Sequence, residues 1–205
     1  MVKMECGLGW NSALYAYATT ENANQDYKTA AKAFLRERAD FLVASGEGNG
    51  YRLTKSSWSP VGYGSGTTPD AATHLFRAYE LFGDHRYLEW GIYSCNANLG
   101  ITQLSYVWTT GLGFRPIKAL LHTPSMADGL EAPVPGITVY GPSRKETAQG
   151  IYGFDLAGYD PPITEWPLME RYTSTTYSAI TNEFSISTQI APTAFAFGYL
   201  AELNE

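Results

Sequence analysis

Charge is scarce in this chain of 205 residues: Asp, Glu, Lys and Arg together make up 17% of it. No cluster of basic residues occurs and the net charge is -6, so a phosphate backbone has nothing to dock against and a nucleic-acid partner is excluded. Cysteine is limited to Cys6 and Cys95, far apart in sequence. That usage fits two buried thiols or one disulfide. No apolar run approaches the ~18 residues that read as a membrane span. The N-terminal MVKMECGLGWNSA lacks the apolar core of a secretory leader. A clean internal repeat is also missing, which favours a closed helical toroid over a consensus solenoid.

What the chain has instead is rings. Aromatics reach 14%, with 15 Tyr and 5 Trp. Low charge combined with many flat, amphipathic rings is found in carbohydrate-handling proteins, and many secreted proteins share it. The length suits one domain, residues 1–205, able to bury a real core.

Helical patterns dominate the ends. Leu8, Trp10, Leu14, Tyr17 and Ala18 recur at helical spacing over residues 8–19. Asn22–Asp26 supplies caps for a second helix, whose apolar face is expected on Tyr27, Ala31, Phe34, Arg38 and Phe41 with Gly46 just past its end. A Gly-rich loop with Tyr51, Trp58 and Tyr63 covers residues 46–67. Thr68-Pro69-Asp70 opens a third helix, with Ala72, Leu75, Phe76, Tyr79 and Phe82 as its buried stripe and Gly83 as its stop. Asp84 caps a fourth, with Leu88, Gly91, Ile92, Cys95 and Leu99 on one face and Gly100 at its end. A last helix over about 182–203 is apolar nearly all round and is expected to be buried on every side. The polar segment 143–176 precedes it.

Between these lies a stretch of another kind. Residues 105–142 hold five Pro and five Gly and show no sustained period. A loop this long in a compact domain is a binding or catalytic loop, or else disordered, and its aromatic and apolar residues argue for order. The reading is therefore antiparallel helical hairpins with long loops gathered at one rim, where function sits.

Four runs in order carry a resemblance: SYVWTTGLGFRP, LLHTPS, PVPGITVYGP and TNEFSISTQIAP. Together, and with the helix pair before them, they resemble the C-terminal half of glycoside hydrolase family 9, cellulases built on an (α/α)6 barrel. The family pattern runs S-Y-V-x-G-x-G, then P-H-H-R-x-S, then P-x-P-G-x-x-x-G-P, then N-E. The resemblance implies an all-α chain amounting to about half a toroid, with no cofactor and no metal. It implies inverting hydrolysis of a β-1,4-glucan or related polysaccharide in the complete enzyme, and an extracellular or periplasmic location for that parent.

The same resemblance assigns residues. Glu183 falls where the family keeps its general acid, which has to be protonated near neutral pH. His122 matches the histidine that contacts the sugar, and Ser125 closes that motif as a further substrate contact. The family arginine is replaced by Thr123, so a bidentate guanidinium clamp on hydroxyls is absent. Trp58, Tyr106, Trp108 and Tyr177 are candidate sugar platforms, because a flat ring covers the C–H face of a pyranose. Each of these residues also has a plain structural reading, as packing or as a cap.

One part of the machinery is missing. The family carries its water-activating base in a D-x-G-D motif far upstream, and no such motif occurs in this sequence. Asp155 and Asp160 stand on the wrong side of the loop. An inverting glycosidase needs two carboxylates roughly 6.5–9.5 Å apart, and one is identified. The chain is thus expected to be inactive alone. Two other readings stand beside it: a non-catalytic carbohydrate-binding piece, and a helical-repeat protein-interaction domain. Half a barrel leaves two uncovered flanks, which predicts a homodimer pairing them near Trp10 and Phe197.

Overall fold

The computed structural model describes residues 11–48, 50–54, 68–143 and 160–203. Expectations resting on Cys6, Trp10, Trp58 and Asp155 lie outside the described residues. Among those described the chain is helical, with isolated β-bridges and no named strand: α1 (Asn11–Thr19), α2 (Gln25–Glu47), α3 (Thr68–Phe82), α4 (His85–Asn98), α5 (Thr123–Ala127), α6 (Ala179–Asn182) and α7 (Ala191–Glu202). A π-turn, Ile186–Ile190, leads into α7. No helix here is long and apolar enough to cross a membrane.

The caps form as their chemistry dictates. Asn24 accepts from the Asp26 and Tyr27 amides at the start of α2, and Asp84 accepts from the Arg86 amide at the start of α4. Only Gly83 and Asp84 separate α3 from α4. Two packed helices joined by so short a link must run antiparallel. Gly83 takes φ +66°, the left-handed region that ends a helix without a Cβ clash.

Helix α3 is the hub, packed against α2, α4 and α7. One core joins Ala39, Leu42 and Val43 of α2 to Ala71, Leu75 and Ala78 of α3 and Tyr87 and Trp90 of α4. Another joins Ala72 and Phe76 to Cys95 and Ala196 of α7. Arg77 of α3 donates to Ser12 Oγ of α1 and stacks over Phe195 of α7, tying the two outer helices to the hub. Cys95 is a free, buried thiol, pushed up to about 12 by that burial.

Three helical faces differ from their sequence reading. In α2 the buried positions are Ala31, Leu35, Ala39, Leu42, Val43 and Gly46, while Tyr27 and Phe41 are exposed. The small residues, not the rings, let α2 approach its neighbours. Gly46 lies inside the helix rather than past it, because a Cβ there would overlap the Trp90 ring. In α4, Ile92 and Leu99 are exposed and the polar Ser94 and Asn98 are buried. Their partners explain it: Ser94 bonds Thr54 and Asn98 bonds Thr109. The last helix is broken into α6, an extended link, the π-turn and α7. Of α7, only Pro192, Thr193 and Ala196 are buried, so it is covered on one side and not all round.

The same packing predicts opposite outcomes for two glycines. A Cβ at Gly91 would overlap the Phe76 ring, whereas one at Gly198 on the open side of α7 meets nothing within 4 Å. Gly91→Ala should cost ~1–3 kcal/mol through overpacking. Gly198→Ala should stabilise by ~0.5–1 kcal/mol through chain entropy and helix propensity. Urea denaturation of the two variants checks both signs.

Candidate functional site

The long loop of residues 105–142 is held by hydrogen bonds at both ends and through its middle. Trp108 N–H donates to Asn98 O at the end of α4 (3.0 Å), and Val139 N–H donates to Trp108 O (3.0 Å). Thr110 and Ile137 pair likewise (2.9 Å). Beneath these bonds runs a buried chain of side chains. Asn98 Nδ2 donates to Thr109 Oγ1 (2.9 Å), which pairs with Thr138 Oγ1 (2.9 Å); Thr138 donates to Thr193 Oγ1 (3.1 Å), and Thr193 donates to Gln189 O (2.7 Å). Helix α4, both arms of the loop and the start of α7 are thereby joined. Gly111, at φ +68°, has no room for a Cβ, which would stand 2.7 Å from Pro135 Cβ.

Asn182 makes the second knot. Its backbone carbonyl accepts from Leu121 N–H (2.9 Å), and its side-chain amide donates to the carbonyls of Thr173 and Thr175. On either side of it, Gly141 N–H donates to Thr181 O (2.9 Å) and Tyr140 N–H to Glu183 O (3.0 Å). The LLHTPS, PVPGITVYGP and TNEF runs, 40 or more residues apart at their extremes, therefore meet at one place.

Glu183 stands at the C-terminal end of α6 in extended backbone, φ -78° and ψ 168°. The sequence put it at the start of the last helix, where it would have served as an N-terminal cap; the break after Asn182 removes that role. It is half-buried, and among the described residues its carboxylate has neither a hydrogen bond nor an ion pair.

His122 is the N-cap of α5. Its Nδ1 accepts from the Ser125 amide (3.4 Å) and pairs with Ser125 Oγ (2.8 Å), and Ser125 Oγ in turn accepts from Val134 N–H (3.0 Å). An amide can only donate, so Nδ1 is the acceptor nitrogen. In the neutral ring the proton then sits on Nε2, which faces no hydrogen-bonding partner among the described residues. Phe184 meets the imidazole edge-on at 5.6 Å and fixes its plane. Ser125 is thus engaged in positioning His122 and the backbone of the loop at Val134.

The proposed platforms separate. Trp108 is only 3% exposed and packs with Ile117, Leu120, Ile137, Val139 and Tyr172 in the core under the loop, so it offers no face to a sugar. Tyr177 is 63% exposed. Tyr106 is half-buried against Trp108 and Tyr172 and faces a different cleft from His122. Two residues stand differently from their sequence reading: Phe184, read only as an apolar neighbour of Glu183, packs on His122, and Phe114, read among the aromatics that argue for an ordered loop, is 98% exposed. A ring between Glu183 and an apolar run was a signal for the first; nothing in sequence distinguishes the second. Among the described residues no group of three His, Cys, Asp or Glu could hold a metal ion.

Solved structures share the fold of this chain. Over 92% of this chain the endoglucanase J30 of glycoside hydrolase family 9 superposes with a TM-score of 0.71 at 23% identity. AaCel9A, in complex with cellobiose-like isofagomine, matches 92% of the chain with a TM-score of 0.72 at 23% identity. A family 9 protein of Bacteroides ovatus matches 89% at 0.71 and 22% identity. The fold is that of one part of a family 9 (α/α)6 barrel. The chain spans about a third of the length of each: 33%, 35% and 31%. No protein-family model matches the sequence, and no curated protein does.

The geometry at His122 makes a direct prediction. Imidazole nitrogen NMR shifts should report the Nε2–H tautomer for neutral His122, and Ser125→Ala should keep it, because the backbone amide at position 125 still donates to Nδ1. A pure Nδ1–H form would contradict the hydrogen-bond assignment.

Proposed function

We propose that this chain forms the acid-bearing wall of a β-1,4-glucan hydrolase cleft. Glu183 would donate a proton to the leaving glycosidic oxygen, and His122 Nε2–H would donate to a sugar hydroxyl. Ser125 and Phe184 hold the imidazole, and Tyr177 offers a ring to the pyranose. The observation that supports this reading is the Asn182 knot. It joins the His122 and Glu183 segments, and each of those side chains keeps a polar atom without a hydrogen-bonding partner among the described residues. The family 9 endoglucanases that share the fold, one of them solved with a cellobiose-like inhibitor, support the class of substrate. Thr123 in place of an arginine predicts looser discrimination among neutral glycans, since the planar five-donor fork is absent.

The chemistry is incomplete in this sequence. A protonated acid alone cleaves poorly without a base for water, and general base catalysis contributes ~10²–10⁴-fold. The chain should bind cello-oligosaccharides, with His122→Ala weakening affinity and Glu183→Gln largely sparing it, while hydrolysis of soluble β-glucans stays at or near the detection limit. Calorimetric titration with cellohexaose and reducing-sugar release measure the two. Robust turnover abolished by Glu183→Gln would reveal a base within this chain, Asp155 and Asp160 being the first suspects. Absence of any oligosaccharide affinity would favour a protein-interaction role.

A further inference from the structure

A second cleft lies on the other flank of the central loop. It has a volume of about 580 Å³, inside the ~300–1,000 Å³ range of ligand sites. One wall is the start of the loop, Leu104, Tyr106 and Arg115; the other is the 161–174 segment with Glu165, Trp166, Glu170 and Tyr172. None of His122, Ser125 and Glu183 lines it.

The walls are built rather than incidental. The Trp166 indole N–H donates to Pro161 O (2.9 Å), and Arg171 Nε donates to Trp166 O (3.0 Å), so ring and backbone are both pinned. Tyr106 is clamped between Tyr172, at 5.3 Å, and the Arg115 guanidinium, at 4.3 Å over its face. Arg115 also donates to Leu104 O (3.0 Å), which fixes the cation at the mouth. Burial drives the Tyr172 phenol well above its ordinary range, so it stays neutral and keeps its proton. Side chains already fixed in the unbound state lose little entropy when a ligand arrives.

The polar groups decide the ligand class. Glu165 and Glu170 line the cleft with no ion-pair partner among the described residues, and Arg115 stands across from them. A strongly anionic ligand would meet two carboxylates, and a strongly cationic one would meet the guanidinium. A neutral, polyhydroxylated ligand suits both: its hydroxyls donate to the glutamates and accept from the arginine, while a C–H face covers the Trp166 ring. A β-1,4-linked pyranose chain is a flat ribbon that exposes such faces along its length.

We propose that this cleft is a second oligosaccharide-binding site, taking a β-1,4-linked glycan over Trp166, against the wall that Tyr106 and Arg115 form, independently of the His122–Glu183 wall. It rests on the function proposed above for the identity of the sugar, and it can fail separately. In the full chain, the Trp166 indole N–H resonance, assigned through Trp166→Phe, is followed by NMR during titration with cellohexaose and with xylohexaose. The resonance should shift and saturate with one of them. Glu165→Ala, at an exposed lip position that leaves the core untouched, should weaken that midpoint about tenfold, the scale of a lost hydrogen bond to a charged group. Tyr106→Ala should weaken it at least as much, and His122→Ala should leave it unchanged. A response confined to His122 overturns the second site and leaves the proposed function standing. A response confined to Trp166 does the reverse. No movement of Trp166 at millimolar sugar, or loss of its response in His122→Ala, sinks the inference.

Discussion

A loop of nearly forty residues without regular structure can lie against helices only if its buried peptide groups and hydroxyls find partners. In this chain that requirement is met by the line Asn98–Thr109–Thr138–Thr193, closing on the Gln189 carbonyl. Each bond adds only ~0.5–1.5 kcal/mol net, but a partner orphaned in the core costs ~1–3 kcal/mol. The loop is therefore held less by what the contacts gain than by what any alternative placement would leave unsatisfied. This explains why α4 turns the polar Asn98 inward, while Ser94 answers to Thr54 instead. The loop's demand for polar partners outweighs the helix's own apolar pattern. It also fixes where α7 begins, since Thr193 belongs to the line. The π-turn before it follows: Gln189 and Ile190 amides both reach back to the Ser185 carbonyl.

Legibility in the sequence tracks the range of the interaction involved. Local signals were read well. Thr68-Pro69-Asp70, Asp84 and Gly83 mark boundaries through forces acting within a turn, and α3 and α4 begin and end where those residues say. The stripe of α3 was also legible, with Ala72, Leu75 and Phe76 fully buried, because the hub helix packs on several sides. What failed depends on residues far away in sequence. Phe41 was read as core by its helical spacing, yet α2 packs through Ala39, Leu42, Val43 and Gly46, where the Trp90 ring of α4 fills the gap. Trp108 was a platform candidate by type; two backbone bonds, to Asn98 and from Val139, and a Tyr172 edge turn it inward. The unbroken last helix failed for the same reason, since apolar content says nothing of the pull exerted by residues 138–141 on 181–183.

The candidate site shows the same division. The motif order in sequence was enough to name His122, Ser125 and Glu183, and the structure brings their segments together. It gave no hint that Ser125 is consumed in holding the imidazole, or that Phe184 sets the ring plane. Trp166 went unremarked in a polar, proline-bearing segment, although the carboxylates of Glu165 and Glu170 beside it mark a surface meant to stay wet.

Exposure and unspent valence, rather than residue type, separate the functional candidates from the scaffold. Asn182 is fully buried, and its amide hydrogens are bound to two carbonyls; it can only position. One residue later Glu183 contributes its carbonyl to the same knot while its carboxylate is left without a partner, half in solvent. His122 divides likewise within one ring, Nδ1 committed to the cap and Nε2 free. A catalytic or binding group has to be rigid in its backbone and unsatisfied at its tip, because reorganisation at the moment of binding would cost what preorganisation avoids. In this chain the backbone leaves helix geometry between Asn182 and Glu183, which frees the Glu183 carbonyl to accept from Tyr140 N–H. The break after Asn182 thereby ties the candidate carboxylate to the central loop.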